Sequence, residues 1–160
     1  MRRLVIVALV AGAIGFVAGA VFWWLASPLW TRVEVNESLS AEAQTAVLAS
    51  GAFRDADAVH KGSGDVSLFR GADGTVTLRM TDFSGTNGPD LKVWLVEAEN
   101  IQSSSDVTAS TYLSLGPLKG TDGDQNYTVP ADADVGRFNS VVIWCEAFSV
   151  LFSTADLEPA

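Results

Sequence analysis

The sequence predicts an all-β domain, an antiparallel β-sandwich or partly closed barrel, preceded by one N-terminal transmembrane helix. Three observations carry this expectation. An uncharged, proline-free apolar run, Leu4 to Ala26, lies near the start. After it come several short runs with a period of two, divided by Gly, Pro, Asn and Asp turn signals. Two further runs, LKVWLV at Leu91 to Val96 and SVVIWC at Ser140 to Cys145, are apolar at nearly every position, as strands covered on both faces are. Strands separated by short turns rather than by long helical patterns argue against a βαβ fold.

The apolar run is long enough, at the helical rise, to cross a hydrocarbon core of ~30 Å. It starts after Arg2-Arg3 and ends at Trp23, Trp24 and Trp30, rings suited to a membrane interface. The basic pair is expected to stay in the cytoplasm, which places the rest outside the cell membrane as a single-pass protein. Ala18-Gly19-Ala20 imitates a signal-peptidase site, but VFWWL continues the apolar run beyond it, so an uncleaved anchor is expected. Ala11, Gly15 and Gly19 fall four apart on one helix face, a spacing that favours close helix approach and is also common background in membrane helices.

The expected organisation is a cytoplasmic tip and anchor over 1–32, a connector over 33–47 and a β-domain over 48–158. That last segment is the size of one domain with a single core. Its charge is lopsided: all 19 acidic residues lie at or beyond Glu34, against seven of the 10 basic ones. A balance of −12 argues against nucleic acid and against docking on anionic lipid. One cysteine allows no internal disulfide.

Ser40 is placed to cap a helix over Ala41 to Ala49, ended by Gly51. Asp65 to Arg70 and Thr75 to Phe83 alternate apolar and polar residues and should pair antiparallel through the Asp73-Gly74 turn. Phe83 to Pro89 is a loop, since Asn87-Gly88-Pro89 interrupts a ladder. Leu91 to Val96 is an interior strand. Glu97 to Ser110 is a polar surface excursion with at most one helical turn. Tyr112 to Leu118 and Asn126 to Val129 are weaker strands around the turn Gly120 to Asp124. Ser140 to Cys145 is the most apolar strand, and Ser149 to Phe152 resumes it after a bend at Glu146, Ala147 and Phe148.

Cys145 sits at the end of that central strand, beside a turn. A thiol that cycles needs access and a nearby cation or helix N-terminus, and the neighbouring Glu146 works against a thiolate. The bland reading is a small core hydrophobe. His60, the one histidine, lies between Val59 and Lys61 before Gly62-Ser63-Gly64, a segment of ordinary hairpin composition. With Cys145, and Met80 as a distant third, it would complete a soft site for haem iron or copper, though no two of the three have local ligand spacing. Asp122, Asp124 and Asn126 imitate a calcium loop, but Tyr127 stands where Gly is required and Ala133 where Glu is, so no EF-hand is present. Asp82 and Asp90 flank the Asn-Gly-Pro loop and either orient a partner or satisfy turn N–H groups. No G-x-S-x-G, phosphate-binding glycine loop or H-E-x-x-H occurs.

Taken together, Ser50-Gly51-Ala52-Phe53, Val59 to Gly64, Asp82-Phe83, Thr86 to Leu91, Gly123 to Tyr127 and SVVIWCEAFSVLF resemble the DM-thirteen domain, also called the electron-transfer DM-thirteen domain. The similarity covers about residues 48 to 157 and leaves out the apolar run and the connector. It implies an all-β, extracytoplasmic domain, sometimes found beside cytochrome-like DOMON domains. It also implies a redox role for the cysteine of the WC motif, here Cys145, as a naked thiol or as a ligand to a group such as haem. Two function classes follow. One is a membrane-anchored redox or electron-transfer domain that works with a redox partner protein, with Cys145 as the active sulfur and Trp144 and Phe148 shaping its surroundings. The other is a non-enzymatic binding or structural module in which Cys145 is inert. A single cysteine stores no two electrons internally, so a redox role requires a sulfenic acid, a partner's sulfur or a bound group. A colourless thiol protein is expected, because no c-type haem attachment motif and no spaced second ligand accompany Cys145.

Overall fold

The computed structural model describes residues 2–26 and 31–160, with the backbone alone for Ala8, Leu25 and Ala26. Two compact units result, one holding the N-terminal helix and the other spanning residues 32–160. Helix α1, Arg2–Ala26, is long and apolar enough to cross a membrane, features that a signal sequence shares. Up to Trp24, its described Leu, Val, Ile and Phe side chains are at least half exposed, Phe16 at 79%. Trp30 and the expected exit at 27–30 lie outside the described residues.

The second unit is an open two-sheet sandwich. One sheet has six strands in the order β1 (Glu34–Asn36), β8 (Asp122–Thr128), β5 (Val76–Gly85), β4 (Gly62–Arg70), β2 (Ala46–Ala52) and β11 (Glu158–Pro159). The other has five, β3 (Arg54–Asp55), β10 (Val150–Asp156), β9 (Ser140–Cys145), β6 (Leu91–Val96) and β7 (Tyr112–Pro117). All pairings are antiparallel except β1 with β8. The expected hairpin forms between β4 and β5, with Gly74 supplying the left-handed residue at φ +84°.

Side-chain alternation divides the five-stranded sheet cleanly. Leu91, Val93 and Leu95 of β6 and Val141, Ile143 and Cys145 of β9 face the six-stranded sheet and meet Val66, Leu68, Leu78 and Met80. Their neighbours Trp94, Val96, Val142 and Trp144 face the opposite way and are covered by Ile101 and Val107. Those two come from the segment between β6 and β7, which carries a short helix, α2, at Ser104–Thr108. The stretch expected as a polar excursion is therefore a lid with two fully buried apolar anchors. Bonds between side chain and backbone hold it: Leu151 N–H donates to Ser104 Oγ (3.0 Å), and the Arg54 guanidinium donates to Ile101 O (2.9 Å).

Other departures from the sequence expectations have local causes. Ala41 to Ala49 is one turn of 3-10 helix, Ala41–Gln44, followed by β2, because Val47 and Ala49 pair with β4 on either side of a bulge at Leu48 rather than pack a helix. Glu34–Asn36, expected in the connector, pairs in parallel with β8. Gly62-Ser63-Gly64 belongs to β4 and not to a turn: the strand runs on through a bulge at Gly64, whose φ of +105° and close approach to Asp82 exclude a side chain. Asp122 and Asp124 lie in a strand, each paired with an arginine: Arg32 bonds Asp122 and Arg79 bonds Asp124.

At one edge both sheets share strands. The chain passes from β2 to β3 at Phe53 and from β10 to β11 at Leu157, so the two paired segments cross from sheet to sheet side by side. Their register is the same on both sides: Ser153 faces Asp55, and Glu158 faces Ser50. Gly51 makes the turn of this corner feasible, since a Cβ there would lie 2.0 Å from Asp156 O.

Candidate functional site

Cys145 is the last residue of β9, opposite Leu91 of β6 and Val150 of β10. It is wholly buried on the inner face. Its Sγ donates to the carbonyl of Pro89, 3.0 Å away, so the protonated thiol is the form the geometry holds. Glu146, the next residue, is exposed, and its N–H donates to Asp90 O (3.1 Å). These bonds tie the loop of residues 86–90, before β6, to the sulfur and to the turn 146–149 after β9, where Ser149 takes φ +54°. Gly88 seats the first loop, because a Cβ there would fall 2.5 Å from the Phe152 ring.

The cation nearest in register is Lys92, but it lies opposite Trp144 and so projects from the other face of the sheet. It is also engaged, at 2.7 Å from Asp90 and 3.6 Å from Glu146, and the hydrogen bond to Asp90 raises its pKa. Asp90 thus holds a lysine, at a residue whose own φ is +51°.

His60 is built into a small loop. The Asp57 carboxylate accepts from the backbone N–H of Val59 and of His60, both at 2.7 Å, and contacts the imidazole Nδ1 at 2.7 Å. The bond to the ring, and then the two backbone N–H groups, lower the Asp57 pKa to about 2. A carboxylate only accepts, so Nδ1 carries the hydrogen and Nε2 is the atom left for ligation. The ring packs against Phe152, with centroids 4.2 Å apart. Phe152 belongs to the same buried cluster as Cys145. The fold thus brings His60 to the end of the sandwich where Cys145 lies, yet their bonds lead to different partners, Asp57 and Pro89. Met80 is buried on β5, in the opposite sheet.

A haem does not fit these donors. The macrocycle needs an apolar crevice open to its axial atom, and Sγ has no exposed surface and packs among Leu91, Ile143 and Phe152. Among the described residues no cluster of three or more His, Cys, Asp or Glu could hold a metal ion.

Phe148 is 70% exposed on the β9–β10 turn and does not shape the surroundings of the sulfur, and Trp144 points to the other face. What the residue pattern did not reveal is a row of rings on that face. Trp144 stacks on Trp94 (5.2 Å, 28°), and Trp94 on Tyr112 (3.8 Å, 6°). The two tryptophans stand at alternate-face positions of the two apolar strands, which was the one available signal; their pairing depends on register.

A family model described as electron transfer DM13 matches residues 53–157. No curated protein and no solved structure matches the chain. The matched span starts at the Phe53 corner, ends at Leu157 and contains Cys145, the loop 86–90, the whole five-stranded sheet and β4, β5 and β8 of the other, so the chain belongs to the electron transfer DM13 family.

Proposed function

We propose that this is a membrane-tethered, extracytoplasmic electron-transfer domain whose reacting atom is Cys145 Sγ, reached when the loop 86–90 lifts. The observation that carries this reading is the position of the sulfur: it closes a core strand one residue from solvent and is bonded to a carbonyl of a loop rather than of a ladder. Lifting Pro89 breaks one weak S–H···O hydrogen bond and opens the end of the sandwich. In the exposed state a peroxide-class oxidant takes two electrons from the thiolate, giving a sulfenic acid and an alcohol or water. A thiol on a partner protein then condenses with the sulfenic acid to a mixed disulfide and water, and a second thiol releases Cys145. The exposed apolar surface of α1 and the Arg2-Arg3 flank support the tether and its orientation.

A fluorogenic thiol reagent applied to the folded full-length chain in detergent tests the mechanism, with Cys145→Ser as the blank. Slow labelling is expected, at a rate set by loop opening, and Gly88→Ala should raise it by displacing the loop from Phe152. Sulfenic acid should be trapped after mild peroxide. The second reading, an inert core cysteine in a binding or structural module, is favoured by the complete burial of Cys145. Labelling that tracks global unfolding in both proteins would establish that reading instead. Protection of a C-terminal tag from external protease in intact cells or spheroplasts would refute the orientation.

A further inference from the structure

The aromatic row on the lid-covered face offers a path that the sulfur does not. Trp144 is 2% exposed, Trp94 6% and Tyr112 49%, so three rings in contact lead from the centre of the five-stranded sheet to solvent. Packing alone explains the two buried indoles; it does not require the outermost ring to lie parallel on Trp94 while half its surface stays in water. The hydrogen-bonding groups differ along the row. Trp94 Nε1 is buried and has no acceptor, whereas the phenol of a half-exposed tyrosine has water beside it. The other tyrosine is no alternative outlet: Tyr127 is buried, donates to Gln125 Oε1 (2.8 Å) and accepts from Lys119 N–H (3.0 Å).

We propose that Trp144, Trp94 and Tyr112 form a relay that carries a one-electron vacancy from the interior of the sheet to the surface, with Tyr112 as the port. The inference extends the electron-transfer reading above but passes through rings, not through sulfur. A one-electron oxidant, of the radical or oxidised-metal-complex class, removes an electron from the Trp144 indole and leaves a cation radical. Trp94 refills it and becomes the cation. With no base at Nε1, Trp94 keeps its proton, so its vacancy is not trapped as a neutral radical. Tyr112 then gives an electron to Trp94 and its phenolic proton to water, which leaves a neutral tyrosyl radical at the surface. A one-electron reductant returns the electron there, and water returns the proton.

Laser photoionisation tests this, because light ejects an electron from a buried indole as readily as from an exposed one. The sample is the full-length chain in detergent carrying Trp23→Phe, Trp24→Phe and Trp30→Phe, so that Trp94 and Trp144 are the remaining indoles. The expected result is a tryptophan radical that decays as a tyrosyl radical rises, at a rate independent of protein concentration. Tyr112→Phe should abolish the tyrosyl signal and lengthen the tryptophan radical's life, while Tyr127→Phe leaves both unchanged. Trp94→Phe should slow the transfer at least tenfold with the near-ultraviolet signature of the fold retained. Loss of the tyrosyl signal in Tyr127→Phe instead, or no tyrosyl radical in the parent protein, would overturn the relay. Cys145→Ser should transfer at the parent rate. An inert thiol with a working relay would remove only the sulfur mechanism, and a reactive thiol with a stationary tryptophan radical would remove only the relay.

Discussion

The two faces of the five-stranded sheet are equally dry but differently finished. On the inner face every apolar side chain of β9 meets a second sheet, and the polar groups that enter are paired: Gln125 bonds Gly120 through both its amide atoms, and Tyr127 bonds Gln125. The outer face is closed by a lid rather than a sheet, and it keeps two buried polar atoms without partners, Trp94 Nε1 and Thr154 Oγ1. A sheet brings its own close-packed surface of alternating side chains, whereas a lid anchored at Ile101 and Val107 excludes water without matching every polar atom beneath it. Stability should therefore reside mainly on the inner face and adjustability on the outer one.

The largest test is truncation on the inner face. Ile143→Ala should cost about 2–5 kcal/mol, read from urea unfolding, because the second sheet cannot collapse into the void. Val142→Ala, under the lid, should cost clearly less than Val141→Ala on the inner face, where the same two methyl groups are removed from an equally buried site; equal costs would break the comparison. Next comes alkaline pH. Burial pushes the Tyr127 phenol up to about 12 from its ordinary value of 10.0. Its neutral form is thus favoured by the fold: the stability is full below pH 10 and falls as pH rises toward 12, by about 2–3 kcal/mol at ~1.4 kcal/mol per unit. Tyr127→Phe should lower stability at neutral pH and flatten that fall. On the outer face, Thr154→Val should raise stability by about 1 kcal/mol, since it removes a buried hydroxyl that has no partner. A loss there would mean that the hydroxyl is satisfied and that the lid matches as well as the sheet does. The smallest effect belongs to the rim. Asp57, with its pKa lowered to about 2, favours the folded state above its unfolded value of 3.8, and that contribution is lost as pH falls through about 2. Asp57→Asn should make acid unfolding shallower in that window and loosen the His60 ring, seen as a shift of its proton resonances.

The inner face was the legible part. Val141, Ile143 and Cys145 on one side and Val142 and Trp144 on the other are fixed by the strand period alone, and both sides proved buried. Turn chemistry located the β4–β5 hairpin, and the ordered motifs located the family. What stayed hidden depends on contacts remote in sequence. Ile101 and Val107 sit in a polar stretch, so composition marked that stretch as surface. Asp122 and Asp124 read as turn formers because their arginine partners, Arg32 and Arg79, are far from them along the chain. The one hydrogen bond of Cys145 goes to a carbonyl, Pro89, and no side-chain pattern encodes where a carbonyl points.

The corner shared by the two sheets bears on the order of folding. Ala49 pairs with Pro159 and Ser50 with Glu158, so one of the earliest strands of the domain waits for one of the latest. During synthesis β2 finds β4 early, while its other edge stays open until residues 158 and 159 have emerged. Pairings this distant fold slowly, because the loop-closure entropy must be met before the contact forms. A chain whose synthesis is interrupted before β11 would expose an unpaired strand edge, a ready template for pairing with another chain.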